Sequence, residues 1–179
     1  AWQVENAGLR LLGWIVHAPL LLAGGGFALD RVLTGAITRN FDSSLEYVLI
    51  AMIRSSEIGP DGEVRLVEPL GDQRFLEPNS GLYWQISGPG HADFPSRSLW
   101  DRTLPHVEQP AVPEPDGARK AYVQGPEDQR LRLVERDVDL GDDGRFLVAV
   151  AGDAAELDDE ITAFNWAIAT TFFVLAAVL

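Results

Sequence analysis

Residues 131–152 read LRLVERDVDLGDDGRFLVAVAG, and this stretch decides the fold class of the chain. Leu131–Leu140 and Arg145–Gly152 are rich in Val, Leu and Phe, and each has the length of a strand. Between them stands Gly-Asp-Asp-Gly at 141–144, whose residue types tolerate the positive φ angles of tight turns. The pattern therefore predicts an antiparallel β-hairpin.

The second strand of this hairpin is predicted to lie in the middle of a sheet. Phe146–Ala151 is apolar at every position, which is typical of a strand that is buried on both faces. The first strand has apolar residues at Leu131 and Leu133 and then at Val134 and Val138. This change from odd to even positions predicts a β-bulge between them.

Two segments upstream of the hairpin predict further strands. Val64–Val67 is short, whereas Leu82–Ser87 places Leu, Trp and Ile at alternate positions, as a half-buried strand does. Residues 103–118 contain four prolines among acids and amides, so an exposed loop is predicted there.

A long helix is predicted before these strands. From Asp30 to Glu57 apolar residues recur every three or four positions, and the pattern ends at the turn sequence Gly-Pro-Asp-Gly of residues 59–62. The apolar stripe of this helix suits either one face of the sheet or the interface of a homodimer.

A second helix is predicted to begin directly after the hairpin. Asp153 is suited to the N-cap position, and Glu156 follows three residues later in a variant of the capping box. We expect this helix to continue through residues 161–179, an uncharged apolar run of the length that a bilayer-spanning helix needs. Residues 11–29 form a similar run, for which the alternative is a cleaved secretory signal with small residues near Ala23–Gly26.

These patterns together predict the organisation of the chain. We expect a stub at 1–10, a transmembrane helix at 11–29, a folded domain outside the membrane at 30–160 and a second, truncated transmembrane helix at 161–179. The domain is predicted to be α+β, with a central antiparallel sheet between two helices that are both continuous with the transmembrane helices. Because the sequence starts without Met and stops inside an apolar helix, we expect it to be part of a larger protein.

Composition and charge exclude several functions. The chain has 27 acidic and 14 basic residues and a net charge of −13, which opposes the binding of nucleic acid phosphates. There is no cysteine, so neither a disulfide framework nor a cysteine-ligated metal site can form. The three histidines have no metal-site or triad spacing, and no Gly-x-Ser-x-Gly occurs. The fragment therefore offers no catalytic residues.

Several short motifs follow one another in order between residues 39 and 153. They are Asn40-Phe41-Asp42 with Leu45-Glu46, Asp61-Gly62, Pro69-Leu70 with Arg74-Phe75, Ser80-Gly81-Leu82-Tyr83-Trp84-Gln85-Ile86, Ser96-Arg97-Ser98-Leu99-Trp100-Asp101, Leu131-Arg132 with Glu135-Arg136, and Val150-Ala151-Gly152-Asp153. Through these motifs the chain resembles the extracytoplasmic sensor region of bacterial transmembrane histidine kinases, especially a proteobacterial group with a PAS-like or Cache-like domain.

The resemblance implies a PAS-like or Cache-like sheet and a function in signalling. It implies the input module of a two-component histidine kinase in the bacterial inner membrane. The stub at 1–10 would then be cytoplasmic, and residues 30–160 would be the extracytoplasmic sensor domain, in the periplasm. It also implies a homodimer, contact with membrane lipid, and a response regulator that is reached through a kinase region absent from this chain. ATP is expected only for that absent region. The alternative function is a membrane-anchored periplasmic binding or assembly protein without kinase output.

The aromatic residues and the arginine in two of these motifs are candidates for a ligand site. They would meet if residues 82–87 and 96–101 lie side by side. An arginine beside indole rings either meets an anionic ligand or stacks on the rings and pairs with a buried acid, here Asp101. The second, structural interpretation is preferred. The candidate ligand-binding residues are Tyr83, Trp84, Arg97, Trp100 and Asp101.

Four acids before the second apolar run are candidates for a divalent-cation site close to the membrane. Calcium and magnesium prefer carboxylate oxygens, but acids also stabilise the start of a helix through its dipole, and this alternative is preferred. No other cofactor is expected in this chain. The four candidate ligands are Glu156, Asp158, Asp159 and Glu160.

Overall fold

The computed structural model describes the backbone of residues 2–59, 64–67, 70–90, 92–107, 117–139 and 144–178. Side chains are described for these residues except 2–23, 26, 27, 29 and 175–178. The chain divides into two compact units. One contains Ala1–Thr38 and Asp158–Leu179, and the other contains Arg39–Leu157.

The described part of the chain is α+β, as predicted. The elements occur in the order α1 (Trp2–Ser55), β1 (Ser56–Ile58), β2 (Val64–Leu66), a 3-10 helix (Gln73–Leu76), β3 (Leu82–Ser87), β4 (Phe94–Pro95), a 3-10 helix (Arg97–Leu99), β5 (Ala118–Gln124), a 3-10 helix (Pro126–Asp128), β6 (Arg130–Asp139), β7 (Arg145–Asp153) and α2 (Ala154–Val178).

The predicted hairpin forms the centre of a five-stranded antiparallel sheet. The strand order is β4-β3-β7-β6-β5, so the strand that is apolar on both faces, β7, lies in the middle. The hairpin register pairs Leu131 with Asp153 and Asp139 with Arg145 without interruption, so the predicted bulge is wrong. Val148 and Val150 are buried, as a central strand requires.

The change of parity in β6 has a different cause, because both faces of the sheet carry a core. Val134 belongs to the core on the face that α1 covers. Leu131 and Leu133 belong to a second core on the opposite face, which also contains Leu99 and Leu104 from the segment that follows β4. The odd-numbered apolar residues of β6 therefore face one core and the even-numbered ones face the other, so the pattern requires no bulge.

The end of α1 packs on the sheet through its apolar stripe. Leu45, Leu49 and Met52 are almost completely buried in the core of that face, with Phe41 and Val48 packed against it. The stripe over these residues thus serves the core, which was the first of the two predicted uses. Homodimer formation stays a prediction.

The remaining strands extend this unit. The predicted strand at Val64–Val67 is found as β2, which pairs with β1 in a two-stranded ribbon directly after α1. Of the loop predicted at 103–118, residues 108–116 lie outside the described residues, and its last residue, Ala118, begins β5, a strand that was not predicted and that lies at the edge of the large sheet.

Within the residues that the structure describes, no helix is both long enough and apolar enough to cross a membrane. The predicted spans at 11–29 and 161–179 lie partly outside the described side chains.

Candidate functional site

The last turns of α1 are joined to the sheet by two ion pairs. Asp42 and Glu46 are one turn apart, so both project from the same side of the helix. The Asp42 carboxylate accepts two hydrogen bonds from Arg132 on β6, at 2.8 Å from Nε and 2.9 Å from the terminal nitrogen. Lys120 Nζ on β5 lies 2.6 Å from the Glu46 carboxylate. The Asp42–Arg132 pair is the more buried of the two, with side chains 8% and 14% exposed.

An aromatic ring supports the arginine of the buried pair. The guanidinium of Arg132 lies 4.9 Å from the ring centre of Tyr122, and that of Arg130 lies 4.8 Å from the same centre. Cations over a tyrosine ring are attracted by its quadrupole. Arg132 is thus held from the sheet side by Tyr122 and from the helix side by Asp42.

A glycine allows α1 to approach the central strand closely. Gly152 on β7 stands in register with Arg132 on β6. A Cβ atom at Gly152 would lie 2.8 Å from Phe41 Cζ and 3.2 Å from Leu45 Cδ2. Contacts this short are sterically prohibited, so residue 152 can carry no side chain unless the helix or its side chains move.

The second helix begins where the central strand ends. The predicted N-cap is confirmed, because Asp153 Oδ1 accepts a hydrogen bond of 2.8 Å from the backbone N–H of Ala155. The N–H of Asp153 donates to the carbonyl of Gly81 at 2.7 Å. Ala154 and Leu157, in the first turn of α2, are completely buried. β7 therefore continues into α2 without a linker.

The opposite face of the sheet carries a row of polar side chains. Gln85, Ala149, Glu135 and Arg119 stand in register on four adjacent strands. Glu135 is completely buried, and its carboxylate accepts from Arg119 Nε at 2.8 Å. A buried charge requires such a partner.

The polar row fixes the segment that covers this face. Gln85 Oε1 accepts from the N–H of Leu104 at 2.7 Å, and Glu135 Oε2 accepts from the N–H of Val107 at 3.2 Å. Asp137 accepts a 2.7 Å hydrogen bond from Arg119 and, together with Glu135, raises the pKa of that guanidinium. The residues that sequence reasoning missed are therefore Gln85, Arg119 and Glu135. The sequence did contain a signal for Glu135, because residues 131, 133 and 135 of a strand face the same side and Leu131 and Leu133 are buried.

The five predicted ligand-binding residues do not form one site. Tyr83 lies in the second core, and its neighbour Trp84 lies in the core beneath α1, because successive residues of a strand face opposite sides. Trp84 packs edge-to-face on Phe94, with ring centres 5.4 Å apart.

The other three predicted residues lie at the surface. Arg97 and Asp101 are exposed, and Trp100 is 73% exposed. The preferred interpretation, in which Arg97 locks a buried Asp101, is therefore wrong. The two segments do lie side by side, since β3 pairs with β4 and Ser96 bonds to Trp84. Arg97 is exposed, however, whereas the indole ring of Trp84 is buried in the core.

The four predicted metal ligands lie in the first turns of α2, and all are exposed. Glu156 contacts Arg74 at 3.2 Å. Among the side chains that the structure describes, no three acids or histidines converge into a group that could hold a metal ion. The acidic residues at this position are consistent with the stabilisation of a helix N-terminus.

Comparison with known proteins gives one family match. A family model described as "Two-component sensor kinase N-terminal" matches residues 19–160. Neither the comparison with curated proteins nor that with solved structures gives a match.

Proposed function

Because the chain belongs to the two-component sensor kinase N-terminal family, we propose that it is the input module of a transmembrane histidine kinase and relays an extracytoplasmic stimulus through its helices. The family supports a sensor input module and implies a response regulator as the partner of the kinase region. The transmembrane relay, the periplasmic position of residues 30–160 and the homodimer are our further steps.

The observation that carries this proposal is the direct attachment of both helices to the central sheet. The end of α1 contacts Gly152 through Phe41 and is paired to Arg132, and α2 begins one residue after the Asp153 cap. Packed elements of this kind move as units, so a shift in the sheet changes the position of both helix ends. The ends of helices that leave a sensor domain are suitable carriers of a signal.

The membrane part of the proposal rests on the two uncharged runs at 11–29 and 161–179, each of which has the length of a bilayer span. With both runs in the inner membrane, residues 30–160 are on the periplasmic side and both chain ends are cytoplasmic. Protease added to spheroplasts should then digest the domain. Digestion only after lysis would contradict this topology.

The relay is tested by interrupting the junction of β7 and α2 in the full-length kinase. Insertion of two glycines between Asp153 and Ala154 should change basal autophosphorylation in membrane vesicles, because the strand no longer sets the position of the helix. The matched control is the same insertion at Gly90, in an exposed turn with open space around it.

Both insertion variants should keep a cooperative thermal transition. Equal autophosphorylation in the two variants and the unmodified kinase would contradict the relay. That result, together with the absence of a kinase region downstream of residue 179 in the gene, would favour the alternative of an anchored binding or assembly protein.

A further inference from the structure

The segment that begins at Ser96 is bonded to the edge of the sheet through backbone and hydroxyl groups. Ser96 exchanges hydrogen bonds with Trp84, at 2.8 Å from its N–H and 3.1 Å to its hydroxyl. The Ser98 hydroxyl donates to the carbonyl of Leu82 at 2.8 Å, and the Ser98 carbonyl accepts from the N–H of Asn79 at 2.9 Å. A displacement of the segment therefore acts directly on Asn79.

From Asn79 a continuous chain of hydrogen bonds leads to the start of α2. Gln129 Nε2 donates to the Asn79 carbonyl at 3.2 Å, and Gln129 Oε1 accepts from the Tyr83 hydroxyl at 2.6 Å. The same hydroxyl accepts from the N–H of Gly81 at 3.1 Å. The Gly81 carbonyl in turn accepts from the N–H of Asp153, the N-cap of α2. We call the chain Asn79–Gln129–Tyr83–Gly81–Asp153 the polar relay.

Burial makes the central link of the polar relay sensitive to change. Tyr83 is completely buried, and burial raises the pKa of its hydroxyl, so the group keeps its proton and remains a donor at neutral pH. If this hydroxyl is lost or displaced, the N–H of Gly81 loses a buried partner and Gln129 loses a part-buried one. A change at Tyr83 therefore breaks the polar relay on both of its sides.

The turns through which the polar relay passes have restricted backbones. Asn79 has φ 57° and Gly81 has φ 86°, and a Cβ at Gly81 would lie 3.0 Å from Asp153 Cβ. Glu127, whose carboxylate accepts from Asn79 Nδ2 at 2.8 Å, has φ 50°. Left-handed conformations at non-glycine residues persist only where the surrounding contacts hold them. These turns are thus held by hydrogen bonds of the polar relay and by the neighbouring bond between Asn79 and Glu127.

The outer end of this arrangement is accessible to solvent. Trp100, which follows the bonded part of the segment, is 73% exposed and has φ 59° with ψ −104°. Its neighbours Arg97 and Asp101 are exposed as well. The segment thus connects an accessible surface to a chain of part-buried and buried bonds that ends at a helix cap.

We propose that the polar relay couples the position of the segment 96–101 to the first turn of α2, and that this coupling regulates the output of the sensor. The inference rests on the proposed function, since it specifies which contacts within the domain reach the helix. The physical basis is one cooperative set of bonds with a closed and an open arrangement.

The bonds are tested by amide hydrogen exchange in the full chain. Tyr83→Phe removes only the hydroxyl, and Gln129→Leu cuts the link between Tyr83 and Asn79 but leaves Gly81 its partner. Either change should raise the exchange rates of the Asp153 and Asn79 amides by roughly tenfold or more relative to the other amides of the sheet. The matched control is Val148→Ala, which removes buried apolar atoms outside the relay and should raise exchange across the sheet evenly.

The regulation is tested by autophosphorylation of the full-length kinase that carries the same variants. Tyr83→Phe and Gln129→Leu should shift basal autophosphorylation in the same direction and by more than Val148→Ala does at an equal fall in Tm. Exchange at Asp153 that is unchanged in both relay variants would overturn the proposal. A shift in autophosphorylation no larger than that of Val148→Ala would overturn it as well.

The outcomes also separate this proposal from the proposed function. If the glycine insertion after Asp153 changes autophosphorylation and the relay variants do not, the coupling through the relay is wrong and the sensor function stands. If neither kind of variant changes it, the proposed function fails too.

Discussion

Replacement of Asp42 by alanine should destabilise the chain strongly, because it leaves a buried guanidinium without its carboxylate. Asp42 accepts two hydrogen bonds from Arg132, at 2.8 and 2.9 Å, and the two side chains are only 8% and 14% exposed. Removal of one partner of a buried ion pair costs about 3–5 kcal/mol. Because Arg132 keeps its contact with Tyr122, we expect the lower end, about 3 kcal/mol.

The neighbouring ion pair provides the matched control. Glu46 and Lys120 occupy the same helix face and the same sheet, but their side chains are 24% and 19% exposed. Pairs with more access to water contribute about 1 kcal/mol or less, so Glu46→Ala should be mild. In thermal denaturation of the full chain, Asp42→Ala should lower Tm by roughly 10 °C, and Glu46→Ala by only a few degrees.

A double-mutant cycle isolates the pair from other effects of each substitution. Arg132→Met keeps the aliphatic stem of the side chain and removes its charge, and its combination with Asp42→Ala should show a coupling energy of about 2 kcal/mol. The reasoning is refuted if that coupling is below about 0.5 kcal/mol, or if Asp42→Ala is no more destabilising than Glu46→Ala.

Three further predictions concern the junction of the sheet with the helices. Gly152→Ala should lower the free energy of unfolding by about 1–3 kcal/mol in chemical denaturation, because its Cβ would meet Phe41 and Leu45. At Gly90, by comparison, a Cβ would meet no neighbouring atom. Asp153→Ala removes the N-cap and should lower the free energy of unfolding by about 1 kcal/mol, with the loss of helix signal concentrated at the start of α2. Stability should fall as pH rises above the ordinary tyrosine pKa of 10.0, because the pKa of Tyr83 is raised in the folded state and the unfolded chain ionises first. An alkaline titration in which Tyr83→Phe shows the same loss as the unmodified chain would contradict that attribution.

The hairpin and the helix cap were predictable because their signals are local. The turn residues between β6 and β7 and the apolar run of β7 lie within 22 consecutive positions, and Asp153 stands directly before the helix that it caps. The bulge in β6 was predicted in error. A change of apolar residues from odd to even positions can result either from an extra residue or from a sheet that is buried on both faces. A single strand does not distinguish them.

β5 was not predicted because it is held by charges and not by an apolar pattern. Its sequence is ARKAYVQ, and two of its cations pair with acids on other elements: Arg119 with Glu135 and Asp137, and Lys120 with Glu46. Those partners are distant in sequence, so no local window contains the information.

The ion pairs between α1 and the sheet were not predicted from the sequence. Asp42 and Arg132 both stand in the quoted motifs, yet they are 90 positions apart, and only the folded sheet brings them together. The proposed grouping of Tyr83 with Trp84 fails for a reason that was present in the sequence. Adjacent residues of a strand face opposite sides, so a strand cannot offer both to one ligand.

Gly152 and Asp153 bring a contact of α1 and the cap of α2 to neighbouring positions on the central strand. A Cβ at residue 152 would lie 2.8 Å from Phe41 Cζ of α1, and residue 153 is the cap of α2. Two consecutive residues of one strand therefore contact the first helix and cap the second. In the proposed relay, a movement of β7 reaches both of these contacts, because packed contacts do not deform continuously. A loop at either place would absorb that movement, whereas the structure has none between β7 and α2.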